Sequence, residues 1–317
     1  MNAEVKVKRA GVAAIIGAPN AGKSTLTNLL VGGKVSIVTH KVQTTRFPLR
    51  GIAQVNDAQI VLVDTPGIFE AKRRLDRAMV KAAWSGMDDA DAVVHLIDAS
   101  VWVADQSGDT LTGAQALSLK DDKRIIEGLQ RTGRKALLAL NKIDLFPHAE
   151  LLPVMAALNE TGAYEEIFMV SAENGDGVET LAEALAARML EGPALYPPDQ
   201  AADVPMRLLA SEITREKLML RLHQELPYQL MVETEVWREL KDGSVRIEQA
   251  VIVGLQGHKA MVLGKGGQSI KAIGAAAREE LSVLLGRKVH LFLFVKVDEI
   301  WQDKRERYSD FGLEFDV

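Results

Sequence analysis

The stretch GAPNAGKS, Gly17–Ser24, matches the phosphate-binding pattern GxxxxGK[ST] at every fixed position. It follows a short apolar run and opens a segment of helical character. The glycines of such a loop let backbone N–H groups approach phosphate oxygens. Lys23 can reach the outer phosphates, and the Ser24 hydroxyl can ligate a magnesium ion. The phosphate contacts predicted from this stretch are Gly17, Ala18, Pro19, Asn20, Ala21, Gly22, Lys23 and Ser24.

Short β-branched runs alternate with segments of helical periodicity from residue 12 to about residue 190. This alternation predicts an α/β domain with a mostly parallel sheet covered by helices. Ligands of such sheets bind at the carboxyl ends of the strands, where the loop GAPNAGKS and three later polar runs all fall. The predicted strands are Val12–Ile16, Ile52–Val55, Gln59–Val63, Ala92–Ile97, Ala136–Leu140 and Ile167–Val170.

The first of these polar runs is DTPG, Asp64–Gly67. Asp64 ends an apolar strand, where its carboxylate can hold magnesium through water, and the Gly67 N–H can donate to a terminal phosphate. A tight turn alone would also favour Pro and Gly, but the position after a strand and after the phosphate loop favours the nucleotide site. The contacts predicted from this run are Asp64, Thr65, Pro66, Gly67 and Ile68.

Residues 34–50 contain KVSIVTHKVQTTR, which we predict to be a mobile segment. Thr44 or Thr45 can give a hydroxyl to magnesium only when the terminal phosphate is present, which would make hydrolysis a conformational change. We favour Thr45. The predicted magnesium ligands are therefore Ser24, Thr45 and Asp64.

The run NKID, Asn141–Asp144, indicates which base is bound. The Asp144 carboxylate can accept hydrogen bonds from the N1–H and the exocyclic amino group of guanine, which adenine does not offer. The later run SAE adds a backbone N–H, which we assign to Ala172, for the guanine carbonyl oxygen. GTP is therefore the predicted ligand, with base-side contacts from Asn141, Lys142, Ile143, Asp144, Ser171 and Ala172.

Composition excludes several classes of protein. The 317 residues carry a net charge of −5 and no cysteine, so disulfides, thiolate metal ligands and a cysteine nucleophile are excluded. The first residues lack the apolar core of a signal peptide, and no apolar run is long enough to span a bilayer. These features predict a cytoplasmic globular protein.

The chain is long enough for two domains. Residues 191–205, EGPALYPPDQAADVP, contain four prolines and little periodicity, which predicts an extended linker. We place the nucleotide-binding domain at 1–192, the linker at 193–205 and a second domain at 206–317. Ser100–Asp122 interrupts the first domain with a polar stretch, which we interpret as a surface insertion, mobile or partly helical. A tolerated loop is favoured there over an interaction arm.

The second domain shows a different order of elements. A helical stretch from about Ser211 to Leu226, stopped by Pro227, precedes two strands joined at Asp242–Gly243, a two-residue hairpin signal. Two helices separated by a glycine turn and a last strand, Val289–Val297, follow. This order predicts an α+β domain and is that of a type II KH domain.

The glycine turn GKGG, Gly264–Gly267, can hold the phosphodiester of a single strand with its N–H groups. Ile270 shapes the adjacent base groove, and it also belongs to the periodic apolar set that we expect to be core. The alternative to RNA binding is a KH-like module that binds protein. The predicted RNA contacts are Gly264, Lys265, Gly266, Gly267, Ile270, Lys259 and Lys271, and the expected core positions are Ile270, Ile273, Ala277, Leu281 and Leu284.

Together, GAPNAGKS, QTTR, DTPGIF, NKID, SAE and the GKGG domain resemble the Era family of bacterial GTPases, over nearly the whole chain. The runs TREKL at Thr214–Leu218 and ELPY at Glu225–Tyr228 carry the same resemblance. The insertion Ser100–Asp122 is longer than the family pattern, and SAE stands where SAL or SAK is common. These departures concern loop contacts.

The resemblance implies a GTP-hydrolysing switch that binds the 3′ end of small-subunit ribosomal RNA during 30S assembly and rRNA maturation. The implied catalytic residues are Lys23, Thr45, Asp64, Gly67 and Asn20. Two alternatives stay open: a binding module in which hydrolysis is incidental, and a regulator associated peripherally with the inner membrane. The second lacks a basic amphipathic helix in this sequence. We expect a monomer with Mg²⁺ as cofactor.

Ile68 follows DTPG, where Ras-type enzymes carry a glutamine that orients the attacking water. Isoleucine cannot do this, so catalysis must depend on backbone groups and magnesium, or on an added positive charge. Related GTPases with an apolar residue here and an asparagine in the phosphate loop use potassium as that charge. Asn20 is the matching position, and we therefore expect it to bind K⁺.

Overall fold

The computed structural model describes residues 7–197, 200–223 and 225–317, which form two compact units. The first unit comprises the residues up to Ser36, Thr45–Asp203 and Gly312–Val317. The second comprises Ile37–Thr44 and Val204–Phe311. This division differs from the domain limits proposed above mainly in two short segments, Ile37–Thr44 and Gly312–Val317.

A seven-stranded sheet forms the centre of the first unit. Its strands are β1 Arg9–Ile16, β2 Leu49–Val55, β3 Ala58–Asp64, β4 Ala92–Asp98, β5 Ala136–Asn141, β6 Tyr164–Val170 and β7 Leu190–Glu191. Their order is β2-β3-β1-β4-β5-β6, and β7 pairs with β1. Strand β2 is antiparallel to β3, β7 is antiparallel to β1, and all other pairs are parallel. The six predicted strands are confirmed, and the two-residue β7 was not expected.

Helices cover both faces of this sheet, as predicted for an α/β domain. Successive residues of a buried strand point to opposite faces, so Leu96 and Ile97 of β4 enter two separate hydrophobic clusters. Leu26 belongs to the cluster of Leu96, and Leu158 to that of Ile97. The helices are α1 Lys23–Val31, α2 Arg74–Asp88, α3 Ala99–Ser107, α4 Gly113–Thr132, α5 His148–Glu160 and α6 Val178–Arg188.

The stretch Ser100–Asp122 is mostly helical, which confirms the partly helical interpretation, whereas our preference for a tolerated loop was wrong. It lies almost entirely in α3 and α4, and only its middle, around residues 108–112, is a turn. Val101, Trp102 and Leu119 are buried, and Trp102 Nε1 donates to Asp122 Oδ2 at 3.0 Å. The polar composition concealed the helices because most of the remaining residues face solvent.

The described residues of the predicted linker, up to Asp203, belong to the first unit and are hydrogen-bonded to it. Gln59 Oε1 accepts from the N–H groups of Leu195 and Tyr196 at 2.8 and 2.9 Å. The Ile52 N–H donates to the carbonyl of Ala201 at 2.8 Å. Pro198 and Asp199, inside the predicted linker, lie outside the described residues.

The second unit has the predicted α+β order, with a three-stranded sheet β10-β9-β8. Strand β8 is antiparallel and β10 parallel to the central β9, which is the arrangement expected of a type II KH domain. Its elements are α7 Met206–Arg221, β8 Leu230–Glu239, β9 Val245–Val253, α8 Gln256–Leu263, α9 Gln268–Leu284, β10 Val289–Val297 and α10 Arg305–Asp310.

Two predicted boundaries in this unit were wrong. Helix α7 ends at Arg221, before Pro227, because the chain turns there to bury Leu222 and Leu226 in the core. The hairpin between β8 and β9 has a longer loop than two residues, in which the Asp242 carboxylate accepts from the Ser244 N–H at 3.0 Å. A side-chain acceptor of this kind stabilises a wider turn than an Asp-Gly pair alone.

Helix α9 packs as its periodicity predicts, with one exception. Ile273, Ala277 and Leu281 are buried, and Ile270 is partly buried against the same core. Leu284 is 37% exposed, so its expected core position was wrong. It is the last residue of the helix, where the chain turns towards β10.

We predict that Asp122→Ala destabilises the first unit by about 1–3 kcal/mol, because it leaves the buried Trp102 N–H without its acceptor. Urea unfolding followed by tryptophan fluorescence measures the change. Asp109→Ala, at an exposed position between α3 and α4, is the matched control and should change stability by less than about 0.5 kcal/mol. Equal effects of the two substitutions would contradict a packed role for this helix pair.

Candidate nucleotide site and nucleic-acid surface

The loop GAPNAGKS connects β1 to α1 in a conformation that requires glycine at two positions. Gly17 has φ +154°, and a Cβ there would lie 2.3 Å from the carbonyl oxygen of Leu96. Gly22 has φ +102°, and a Cβ there would lie 2.3 Å from Asn141 Nδ2. The loop therefore packs directly against β4 and β5, at the carboxyl edge of the sheet.

Lys23 carries its ammonium group into this loop and is almost completely buried. Its Nζ donates to the carbonyl oxygens of Gly17 and Ala18 at 3.0 and 2.9 Å. Desolvation lowers the pKa of Lys23 to about 8, although the nearby Asp64 carboxylate opposes this shift. A buried cation surrounded by backbone dipoles is a favourable partner for an anionic phosphate.

Three oxygen-bearing side chains meet beside Lys23. Ser24 Oγ donates to Asp64 Oδ2 at 2.7 Å and lies 2.9 Å from Thr45 Oγ1. Thr45 Oγ1 also lies 3.4 Å from Asp64 Oδ2. Thr44 points elsewhere, because its hydroxyl contacts Thr39 Oγ1 at 2.6 Å and donates to a carbonyl within its own segment. This geometry favours Thr45 over Thr44 at the site.

The Asp64 carboxylate is buried, and one of its oxygen atoms is suited to bind a cation. Its Oδ1 atom is buried without a hydrogen-bond partner among the described residues. Burial also raises the pKa of Asp64, against the lowering effect of its hydroxyl neighbours and Lys23. Carboxylate and hydroxyl oxygens are the ligands that Mg²⁺ prefers, so Ser24, Thr45 and Asp64 fit a magnesium ion.

Asn141, the first residue of NKID, connects three loops. Its Nδ2 donates to the carbonyl of Ala21 at 2.7 Å, and its Oδ1 accepts from the Ala172 N–H at 2.9 Å. Asn141 therefore joins the phosphate loop to the SAE loop after β6. The Ala172 N–H that we assigned to guanine donates to Asn141, so a guanine carbonyl would have to share it.

The rest of NKID leaves a carboxylate open to a ligand. Lys142 Nζ donates to Asp98 Oδ2 at 2.5 Å, and Asp144 is exposed in a short 3₁₀ helix, Ile143–Leu145. We did not single out Asp98, although it ends β4 as Asp64 ends β3. A polar residue at the carboxyl end of a buried strand was the signal that could have identified it.

Ile68 and Asn20 differ in their exposure to solvent. Ile68 is completely buried, and its N–H donates to the Gly17 carbonyl at 3.1 Å. Its side chain therefore has no access to an attacking water. Asn20 is exposed and has φ +64°, a left-handed conformation that asparagine tolerates better than most residues.

The GKGG turn connects α8 to α9 with three glycines at positive φ, namely Gly264, Gly266 and Gly267. Lys265 is exposed between them, and the first N–H groups of α9 have no partner within the helix. Such a turn places backbone donors and a cation where a phosphodiester can bind. Lys271 is exposed and Lys259 partly exposed, and Ile270 borders the turn.

No helix within the described ranges is long and apolar enough to cross a membrane.

A family model described as "50S ribosome-binding GTPase" matches residues 12–142, and one described as "KH domain" matches residues 225–302. Curated relatives include the GTPase Era of Maricaulis maris, 57% identical over 98% of this chain and 98% of that protein. The GTPase Era of Caulobacter vibrioides is 59% identical over the same share of each chain.

Two solved structures match at a TM-score of 0.86 and 34% identity, over 96% of this chain and 99% of theirs. One is Era in complex with MgGDPNP and nucleotides 1506-1542 of 16S ribosomal RNA. The other is a variant of Era from Aquifex aeolicus bound to GDP and AlF4⁻.

We predict that Asn141→Ala weakens binding of both GDP and GTP by about tenfold or more, because the phosphate loop and the SAE loop would no longer be held in place before the nucleotide binds. Titration with a fluorescent guanine nucleotide measures this change. Asn159→Ala, an exposed asparagine at the end of α5, is the control and should bind as the unaltered protein does. Unchanged affinity in Asn141→Ala would contradict its role as the connection between the loops.

Proposed function

We propose that this chain, which belongs to the Era family of GTPases, uses GTP hydrolysis to control binding of the 3′ end of small-subunit ribosomal RNA. It is a P-loop GTPase with a C-terminal KH domain. One observation carries the proposal: a nucleotide site at a sheet edge and a GKGG turn with exposed lysine occur in one chain. The relative in complex with 16S ribosomal RNA supplies the RNA class.

Guanine recognition is assigned to Asp144. Its exposed carboxylate can accept from both N–H groups on the guanine edge, whereas adenine would leave it unpaired. Asn141 acts indirectly in this proposal, because its side chain holds the phosphate loop and the SAE loop in place. The other proposed base-side contacts are Lys142, Ile143, Ser171 and Ala172.

Phosphate binding is assigned to the loop Gly17–Ser24 and to Lys23. The ammonium of Lys23 exchanges its two carbonyl acceptors for phosphate oxygens, and the loop N–H groups bind the remaining charge. Ser24, Thr45 and Asp64 would hold Mg²⁺, which would supply positive charge beside the transferring phosphoryl group. Gly67 contributes its N–H on the side of the terminal phosphate.

Hydrolysis changes the environment of Thr45. Its hydroxyl lies beside Ser24 and Asp64, at the proposed magnesium site. Loss of the terminal phosphate would weaken the binding of this hydroxyl at the site. The segment Ile37–Thr44, which precedes Thr45, would therefore be held in place with GTP and become mobile with GDP. This is the switch that we propose to govern RNA binding.

RNA binding is assigned to the GKGG turn with Lys259, Lys271 and Ile270. The single strand is held by its backbone at the turn, and bases lie towards the helix that follows. We place this activity in the cytoplasm, on the 30S subunit during assembly and rRNA maturation, with the protein acting as a monomer. Peripheral membrane association and a purely structural use of GTP are the alternatives.

The double substitution Gly266→Asp with Gly267→Asp should weaken binding of a fluorescent RNA with the small-subunit 3′ sequence at least about tenfold, because carboxylates would face the phosphodiester. Turnover of GTP without RNA should stay unchanged. Gly243→Asp, also at positive φ in open space, is the control for fold and charge. Full RNA affinity in the double variant at constant salt would contradict the assignment.

In our proposal Asn20 would be one ligand of a potassium ion, which would supply a positive charge in a site that has Ile68 in place of a glutamine. Turnover measured in KCl should exceed turnover in NaCl by at least about tenfold, since such a charge acts on the transition state. Asn20→Ala should lose this difference while it keeps GDP affinity. Equal rates of the unaltered protein in both salts would contradict a role for K⁺.

A further inference from the structure

Helix α7 of the second unit buries charged residues without an obvious structural need. Glu212, Arg215 and Glu216 are all at most 4% exposed, and Arg215 is among the largest completely buried side chains of the described chain. Burying a charge is costly unless it is paired and hydrogen-bonded. The contacts of these three side chains therefore indicate what they are for.

Arg215 and Glu216 bind the segment Ile37–Thr44. Arg215 Nε donates to Glu212 Oε1 at 2.8 Å, while its Nη2 donates both to Glu212 Oε2 and to the carbonyl oxygen of Thr44. Glu216 Oε1 accepts from the N–H of Val38 at 2.9 Å. Two buried charges on successive positions of α7 thus hold the two ends of this segment through its backbone.

A third contact has its donor on the segment Ile37–Thr44 and its acceptors at the end of α7. Lys41, in the middle of the segment, donates from Nζ to the carbonyl oxygens of Met219 and Leu222, where α7 ends. Carbonyls at a helix end lack intrahelical donors, so a cation is a favourable partner there. Ile37 is buried as well, and the segment belongs to the second unit by its contacts.

The residue that follows this segment is Thr45. Its hydroxyl lies beside Ser24 and Asp64, and a single peptide bond separates it from the carbonyl held by Arg215. Fixing that carbonyl restricts where Thr45 can stand, which reduces the entropy lost when its hydroxyl binds the magnesium site.

We infer that Arg215, oriented by Glu212, and Glu216 are positioning residues that hold Ile37–Thr44 on α7 and so place Thr45 for the triphosphate state. They act through the backbone of Ile37–Thr44, at Val38 and at Thr44. The inference rests on the proposed role of Thr45.

The test compares Arg215→Met with the unaltered protein in the absence of RNA. Arg215→Met keeps the length of the side chain but removes its donors, and it should weaken binding of a non-hydrolysable GTP analogue about tenfold while GDP affinity stays the same. The magnesium concentration for half-maximal turnover should rise in parallel. Arg221→Met, at an exposed position of the same helix, is the matched control and should change neither.

Thr45→Ala separates this inference from the proposed function. In the Thr45→Ala background, Arg215→Met should produce no further loss of preference for the GTP analogue, because both substitutions act on one interaction. An equal loss in both backgrounds would overturn the inference, as would an unchanged preference in folded Arg215→Met. If Thr45→Ala alone does not change the preference for the GTP analogue over GDP, the proposed role of Thr45 is contradicted. The inference, which rests on that role, is then contradicted as well.

Glu216→Ala provides a second test that leaves Arg215 in place, in case Arg215→Met does not fold. It removes the acceptor of the Val38 N–H and should also lower the preference for the GTP analogue, whereas Glu216→Gln keeps an acceptor oxygen and should restore it. Equal preferences in the alanine and glutamine variants would overturn the inference. Thermal unfolding of each variant confirms that the comparison concerns folded protein.

Discussion

The two hydrogen bonds of Asn141 hold together a site that three separate loops must form. One reaches the phosphate loop at Ala21 and the other the SAE loop at Ala172. A parallel sheet brings such loops to one edge but does not fix their spacing. The side chain of Asn141 does so, and it also explains why only glycine fits at position 22. The proposed guanine recognition by Asp144 and the proposed phosphate binding by Lys23 both depend on this spacing.

The nucleotide site also contains two charged groups whose burial is unfavourable, the Asp64 carboxylate and the Lys23 ammonium group. Asp64 keeps one carboxylate oxygen without a partner among the described residues, and burial raises its pKa. Lys23 is buried beside it with a lowered pKa. Both costs are recovered when an anionic phosphate and a divalent cation bind, so the free site stores a driving force for ligand binding. Arg215 on α7 is also a buried cation, and the carbonyl of Thr44 is one of its hydrogen-bond acceptors.

The sequence was sufficient to predict what depends on short patterns, and insufficient where burial decides. GAPNAGKS and the alternation of strands predicted the parallel sheet, and the element order of the second half predicted its α+β fold. Polar residues between Ser100 and Asp122 obscured two helices, because Val101, Trp102 and Leu119 are buried there while most of the remaining residues face solvent. The role of Arg215 could not be predicted, since the carbonyl of Thr44 that it binds lies far away in the sequence. Asp98 could have been identified, because it ends β4 as Asp64 ends β3.

The central claim is that the nucleotide governs the affinity for single-stranded RNA. The most direct measurement is the dissociation constant of a labelled RNA with the small-subunit 3′ sequence, at one salt concentration, with magnesium and either a non-hydrolysable GTP analogue or GDP. We predict binding at least about tenfold tighter with the analogue, a coupling typical of two linked sites. Equal dissociation constants in the two nucleotide states would contradict the account.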